Sequence, residues 1–223
     1  MARFTRLEVY QAMLASGLVP LFYHPEIEVS RNVVKACADG GARVLEFTHR
    51  GDFAFDVFQQ ISKSLEAEKS PLMLGVGSVV DAPTAALYLA AGANFVVGPI
   101  FNPEVARLCN RRKIAYLPGC GTLNDISLAE EYGAEIVKIF PGSAAGGPAF
   151  IKDVLGPCPW TRIMPTGGVD ASEENLRAWI QAGACCVGMG SKLITKSAVS
   201  AGDYTGIAKN VKQVLAWVAA ARK

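Results

Sequence analysis

One lysine in this sequence lies within an apolar segment. In residues 135–141, the two-residue alternation of a β-strand places Ile136, Lys138 and Phe140 on one face. Lysine is rarely buried without a partner, and burial can lower its pKa by up to roughly 3–5 units, which leaves the amine uncharged at neutral pH. An uncharged amine can attack a ketone and form a Schiff base. We therefore predict a nucleophilic Lys138, and the alternative is a lysine that pairs with a carboxylate and has no chemical role.

A second segment carries three polar side chains with the same alternation. In residues 44–50, Glu46, Thr48 and Arg50 share one face, and apolar residues occupy the other. A glutamate near a Schiff-base lysine can transfer protons, and the planar fork of arginine matches the carboxylate of a 2-oxo acid. An ion pair of Glu46 with Lys138 or with Arg50 is the structural alternative, and it is compatible with a resting state of the same site.

Two glycine-rich turns indicate an anion site. Gly167 and Gly168 follow one apolar segment, and Gly190 and Ser191 follow the next. Glycine lets backbone N–H groups approach a phosphate closely, which is how phosphate-binding barrels use their last two units. One such turn would also suit a tight connection, but two at consecutive strand ends favour phosphate or another anion.

A catalytic metal is not predicted. The chain has two histidines, His24 and His49, and lacks HxH and HExxH spacing. Both histidines follow predicted strands, so a two-histidine site remains the alternative. Lys138 already offers the electron sink that a metal would otherwise supply.

Eight short apolar runs alternate with helical patterns, which is typical of parallel β/α units. The predicted strands span residues 18–23, 43–48, 72–76, 94–98, 115–118, 135–140, 162–166 and 185–189. We predict one (β/α)8 TIM-barrel domain over residues 1–223, with its chemistry at the carboxyl ends of the strands. An open doubly wound sheet is the alternative, but no GxGxxG motif follows the first strand.

Helix signals agree with these strands. Residues 81–91 and 172–182 follow the third and seventh strands and begin with capping residues, and an extra N-terminal helix over residues 5–16 would close the bottom of the barrel. Four Gly-Ala pairs precede alternate strands and predict left-handed helix C-caps. Their glycines are Gly41, Gly92, Gly133 and Gly183.

Composition excludes several classes of protein. The 223 residues are 51% hydrophobic and carry a net charge of only +2, without a basic run, so nucleic-acid binding is not predicted. No apolar stretch approaches the roughly 20 residues that cross a bilayer, and no signal peptide opens the chain. The six cysteines lack CxxC spacing and are predicted to be free. We expect a cytoplasmic protein.

Three motifs, at residues 44–50, 137–141 and 165–169, together resemble the family of 2-keto-3-deoxy-6-phosphogluconate (KDPG) and 4-hydroxy-2-oxoglutarate (KHG) aldolases. The resemblance runs from about residue 7 to about residue 217 and includes residues 75–78, 98–104 and 117–122. It implies a class I pyruvate aldolase, a carbon–carbon lyase of the aldehyde-lyase type. It also implies a homotrimer without a cofactor or metal, acting on a 2-oxo acid and a sugar-acid phosphate.

The resemblance also implies individual roles. Lys138 would form the Schiff base, Glu46 would be the general acid/base, partly through water, and Arg50 would hold the pyruvate carboxylate. The pyruvate site would further contain Ser78, Pro99, Phe140 and Thr166. The phosphate site would contain Gly167, Gly168, Gly190 and Ser191.

The implied reaction is the reversible cleavage of KDPG to pyruvate and glyceraldehyde 3-phosphate, a step of the Entner–Doudoroff pathway of carbohydrate metabolism, with KHG cleavage to pyruvate and glyoxylate beside it. The galactonate-derived epimer of KDPG is an alternative substrate. A phosphate-binding isomerase, a barrel similar to thiamin-phosphate synthase, and a non-catalytic sugar-phosphate binder are alternatives that give Lys138 no role. Departures from the family pattern at Ser78, Ile100, His49 and residues 141–143 leave the preferred aldehyde open.

Overall fold

Parallel strands alternate with helices throughout the computed structural model, which describes residues 2–223. The strands are β1 (Leu18–Phe22), β2 (Val44–Thr48), β3 (Met73–Gly77), β4 (Phe95–Val97), β5 (Ala115–Leu117), β6 (Gly119–Cys120), β7 (Val137–Ile139), β8 (Ile163–Pro165) and β9 (Val187–Met189). The helices are α1 (Arg6–Ser16), α2 (Ile27–Asp39), α3 (Ala54–Ala67), α4 (Ala82–Ala90), α5 (Pro103–Arg112), α6 (Leu123–Glu131), α7 (Gly147–Leu155), α8 (Glu173–Gln181), α9 (Lys196–Ser200) and α10 (Tyr204–Ala221).

The strands form two curved parallel sheets. One has the order β5-β4-β3-β2-β1-β9 and the other the order β6-β7-β8. Only Pro118 separates β5 from β6, and Thr166, just after β8, forms a parallel bridge with Gly188 in β9. The predicted fifth strand, residues 115–118, corresponds to β5, and the short strand β6 that follows Pro118 was not predicted. The architecture is an α/β fold in which consecutive strands are neighbours within each sheet, and β9 pairs with β1.

Two apolar clusters fill the interior. The larger lies between strands and helices and includes Leu45 and Phe47. The second joins α1 to the opposite faces of the strands, and it includes Met13 and Val44. Because side chains alternate along a strand, residues two positions beyond a member of the second cluster share its face.

Local capping explains where several elements begin and end. Thr5 and Glu8 form a capping box at the start of α1, and Asp81 and Ser172 accept hydrogen bonds at the starts of α4 and α8. The four Gly-Ala glycines all have positive φ, as predicted for left-handed C-caps. Within residues 2–223, no helix has the length and apolarity needed to span a membrane.

Candidate active site

Three predicted site residues converge on the inner face of the strands. Glu46, Lys138 and Thr166 are 1%, 5% and 6% exposed. Each lies two residues beyond a member of the second apolar cluster, so the alternation that the sequence predicts directs all three inward. Those cluster members are Val44, Ile136 and Met164.

Burial perturbs both charged groups. It raises the pKa of the Glu46 carboxyl, and the positive charges of Lys138 and Arg50 counteract that rise. Burial lowers the pKa of Lys138; Glu46 opposes this decrease, and Arg50 adds to it. Among residues 2–223, the ion pairs include neither Glu46–Lys138 nor Glu46–Arg50, the two pairings that the sequence left open. Glu46 Oε2 has no hydrogen-bond partner. Lys138 is therefore suited to nucleophilic attack, and Glu46 is suited to proton transfer.

Two glycines make room for these inward side chains. A Cβ atom added at Gly77 would overlap the carboxyl of Glu46, and one added at Gly188 would overlap Thr166 Oγ1. Neither glycine has a positive φ, so close approach, and not backbone conformation, requires glycine at both positions. Thr166 Oγ1 is buried without a hydrogen-bond partner and remains available to a ligand.

Among the predicted pyruvate residues, Phe140 lies close to the Lys138 amine, Ser78 contacts Arg50, and Pro99 lies beside the sheet partner of Lys138. The Lys138 Nζ atom lies 5.0 Å from the centre of the Phe140 ring. Arg50 Nε donates a hydrogen bond of 3.5 Å to Ser78 Oγ, and Ser78 has φ +62°, which is uncommon outside glycine and recurs at functional sites. Gly119 pairs with Lys138 in the sheet, and a Cβ there would overlap the carbonyl of Pro99.

A cavity of about 660 Å³ opens at the carboxyl ends of the strands. Arg50, Phe140 and Thr166 line it together with the predicted phosphate residues, which are Gly167, Gly168, Gly190 and Ser191. Lys138, Glu46, Ser78 and Pro99 are not in its lining. Lys138 lies beside Phe140 and Ser78 contacts Arg50, and both Phe140 and Arg50 line the cavity. The structure thus brings the predicted carboxylate and phosphate ends into one cavity.

Sequence reasoning missed two lysines beside the glycine turns. Gly167 and Gly168 have φ +87° and +80°, which suits a tight backbone turn around an anion. Lys192 and Lys196 also line the cavity, and Lys192 Nζ lies 3.3 Å from Asp170 Oδ1. The sequence could have indicated both lysines as part of the anion site, because they follow Ser191 within five residues.

The two histidines have different hydrogen-bond partners, the backbone N–H of Glu26 for His24 and the Tyr88 hydroxyl for His49. Among the residues the structure describes, no group of three His, Cys, Asp or Glu residues is arranged to hold a metal ion. His49, one of the departures from the family pattern, has its Nδ1 atom 2.9 Å from the Tyr88 hydroxyl. Alternation continues past the end of β2 and separates the side chains of His49 and Arg50. Ile100, another of these departures, is 54% exposed and does not line the cavity.

Comparisons with known proteins identify an aldolase, a class of lyase. The family model "KDPG and KHG aldolase" matches residues 9–210. The KHG/KDPG aldolase of Escherichia coli (strain K12) is 31% identical over 92% of this chain and 94% of its own. The 2-dehydro-3-deoxy-phosphogluconate aldolase of Pseudomonas aeruginosa is 34% identical over 81% of this chain and 79% of its own.

A solved structure agrees with these relatives. The KDPG aldolase of Legionella pneumophila, with pyruvate captured as a covalent carbinolamine intermediate, is 25% identical, with a TM-score of 0.83 over 91% of this chain and 96% of that chain. This chain belongs to the KDPG and KHG aldolase family.

Proposed function

We propose that this protein is a class I aldolase that reversibly cleaves KDPG to pyruvate and glyceraldehyde 3-phosphate, and KHG to pyruvate and glyoxylate. One observation carries the proposal: Lys138 and Glu46 are buried on the same inner face, and neither takes part in the ion pairs that residues 2–223 form. The covalent pyruvate adduct in the Legionella pneumophila relative supports it.

The mechanism assigns one task to each group. Uncharged Lys138 attacks C2 of pyruvate, and the carbinolamine loses water to give an imine. Glu46, directly or through water, removes a proton from C3 to give an enamine, which attacks the aldehyde carbon. In the cleavage direction Glu46 accepts the proton of the C4 hydroxyl. Because the imine is the electron sink, the chemistry needs neither a metal nor another cofactor.

The remaining residues hold the two ends of the substrate. Arg50 forms a bidentate pair with the carboxylate, with Ser78 accepting a hydrogen bond from its Nε atom. Pro99, Phe140 and Thr166 border the pyruvate portion. At the other end of the cavity, the backbone of Gly167, Gly168, Gly190 and Ser191 receives the phosphate.

The rival functions account for fewer of these features. An isomerase, a barrel similar to thiamin-phosphate synthase and a non-catalytic sugar-phosphate binder would each use the glycine turns, but they give Lys138 and Glu46 no task. The galactonate-derived epimer of KDPG would use the same site. Contacts with the carboxylate and the phosphate do not distinguish the two epimers, so other contacts must recognise the configuration of the central carbons.

We further propose that the protein is a cytoplasmic homotrimer of closed barrels. The Thr166–Gly188 bridge and the short gap at Pro118 support one closed (β/α)8 barrel over residues 1–223, with α1 across its bottom. The six free cysteines suit the cytoplasm. A homotrimer, which the family resemblance implies, has apolar side chains for subunit contact at the ends of neighbouring β/α loops. Examples are Phe53, Val80 and Ile100, 80%, 48% and 54% exposed.

An aldehyde panel with pyruvate tests the substrate assignment. Wild-type enzyme should condense pyruvate with glyceraldehyde 3-phosphate and with glyoxylate, and Ser191→Asp should weaken the phosphorylated aldehyde far more, because it places a negative charge at the phosphate turn. Equal losses on both aldehydes in a coupled assay would contradict the phosphate site.

A further inference from the structure

The end of β1 lies beside the cavity, between the sites assigned to the two ends of the substrate. In the sheet, β1 pairs with β2 on one side and with β9 on the other. The loop after β2 carries Arg50, and the loop after β9 carries Gly190 and Ser191. A cavity-facing group at the end of β1 therefore lies beside the middle of a ligand that extends from Arg50 to Ser191.

Two polar side chains from this loop line the cavity, Tyr23 and His24. The ring of Tyr23 packs edge-on against Phe47, with 5.7 Å between ring centres, and its hydroxyl lies against Gly51. These contacts hold Tyr23 toward the layer between strands and helices. The side chain of His24 is the one that remains to offer a donor to the cavity.

Hydrogen bonds fix the ring of His24 and its tautomer. His24 Nδ1 accepts a hydrogen bond of 3.1 Å from the backbone N–H of Glu26, and the His24 carbonyl accepts one of 3.0 Å from the Ser30 hydroxyl. A ring nitrogen that accepts a hydrogen bond carries no proton, so in the neutral ring the proton is on Nε2. His24 therefore presents an Nε2–H donor on the side of the ring away from Glu26.

We propose that His24 selects the aldehyde, because its Nε2–H donates a hydrogen bond to the hydroxyl at C5 of the six-carbon sugar acid. This inference rests on the proposed aldolase function. C5 lies between C4, which reacts beside Lys138, and C6, which carries the phosphate toward Ser191. The C5 hydroxyl comes from the aldehyde, so a hydrogen bond from His24 distinguishes aldehydes by the presence and the configuration of this hydroxyl. His24 takes no part in the Schiff-base chemistry.

Three aldehydes test this role in condensation with pyruvate: D-glyceraldehyde 3-phosphate, its L enantiomer, and 3-phosphooxypropanal, which has the same length but no hydroxyl. Wild-type enzyme should prefer the D aldehyde in kcat/KM over both others. His24→Asn should reduce both preferences by about 3- to 10-fold, the effect of one uncharged hydrogen bond. His24→Gln, which carries an amide nitrogen near the position of Nε2, should retain part of each preference.

The two variants separate recognition from a structural role. Asparagine keeps an acceptor for the Glu26 N–H but has no donor at Nε2, whereas glutamine does the reverse. If the asparagine variant kept the preferences and the glutamine variant lost them, or if neither changed them, the inference would be overturned. A wild-type enzyme that condensed none of the aldehydes and formed no borohydride-reducible adduct with pyruvate would contradict the proposed function itself, and the inference with it.

Discussion

The chemistry of this protein depends on single residues that are costly to bury. Lys138 and Glu46 lie in an apolar interior without a direct ion pair, so each is pushed toward its uncharged form. The sequence predicts both positions, since alternation places each charged side chain on one face of its strand and the resemblance assigns both residues to the site. It does not predict the left-handed backbone of Ser78 or the contact of His49 with Tyr88, because those depend on where distant segments meet.

The charges around Lys138 predict opposite pH shifts for two variants. Imine formation requires the uncharged amine, so its rate should rise as pH passes upward through the pKa of Lys138. Arg50 lowers that pKa, so Arg50→Gln should move the rise to higher pH. Glu46 raises it, so Glu46→Gln should move the rise to lower pH. The measurement is the initial rate of borohydride trapping at saturating pyruvate across pH, and shifts in the same direction would contradict the assignment.

At the scale of elements, strand ends bring the site together from segments far apart in sequence. The eight strand segments and the glycine caps were predictable, because periodicity and positive φ are local properties. The short strand β6 was not predicted. Pro118 has no N–H to donate to β4. Its carbonyl instead accepts a hydrogen bond from the backbone N–H of Lys138, so the chain changes its pairing partner from β4 to β7 there. The five residues of α9 are too few to show a helical period.

The position of the Glu46 carboxyl depends on the absence of a side chain at Gly77 in β3. Gly77→Ala should lower turnover by about 10²-fold or more, because the new methyl group occupies the space of the Glu46 carboxyl and displaces the general base. Shortening the acid in the double variant Gly77→Ala, Glu46→Asp should restore part of the loss. Steady-state kcat is the measurement.

Gly121→Ala is the matched control for this substitution. A Cβ at Gly121 would meet nothing closer than Asp125 Oδ2 at 3.9 Å, and Gly121 does not have a positive φ. Its turnover should stay near the wild-type value. Full activity in Gly77→Ala would show that the position of Glu46 against β3 does not matter for catalysis.

At the scale of the whole molecule, α10 is linked to α1 at the amino ends of the strands. Arg222, just after α10, donates hydrogen bonds to the carbonyls of Ala15 at 3.0 Å and Cys185 at 2.5 Å. It thereby links the last helix to α1 and to the segment before β9. No pattern in the sequence predicts this contact, because its partners are separated by 207 and 37 residues.

This contact should stabilise the fold without affecting the chemistry, because it lies at the end of the strands opposite the cavity. We expect Arg222→Ala to lower the free energy of unfolding by about 1–2 kcal/mol, since each such hydrogen bond contributes about 0.5–1.5 kcal/mol. The Tm should fall by about 2–8 °C for a chain of this size, while kcat/KM is retained. Lys223→Ala, at the neighbouring exposed position, should leave Tm unchanged. Equal Tm values for the two variants in thermal unfolding would show that the link adds no stability.

Covalent capture of pyruvate tests the central claim most directly. Borohydride should reduce the imine to a stable secondary amine, and mass spectrometry of the intact protein and of its peptides should place the pyruvate-derived group on Lys138. Lys138→Ala should abolish trapping and turnover while the protein remains folded, and a chelator should leave the wild-type activity unchanged. An adduct on another lysine, or chelator-sensitive activity that survives Lys138→Ala, would contradict the mechanism.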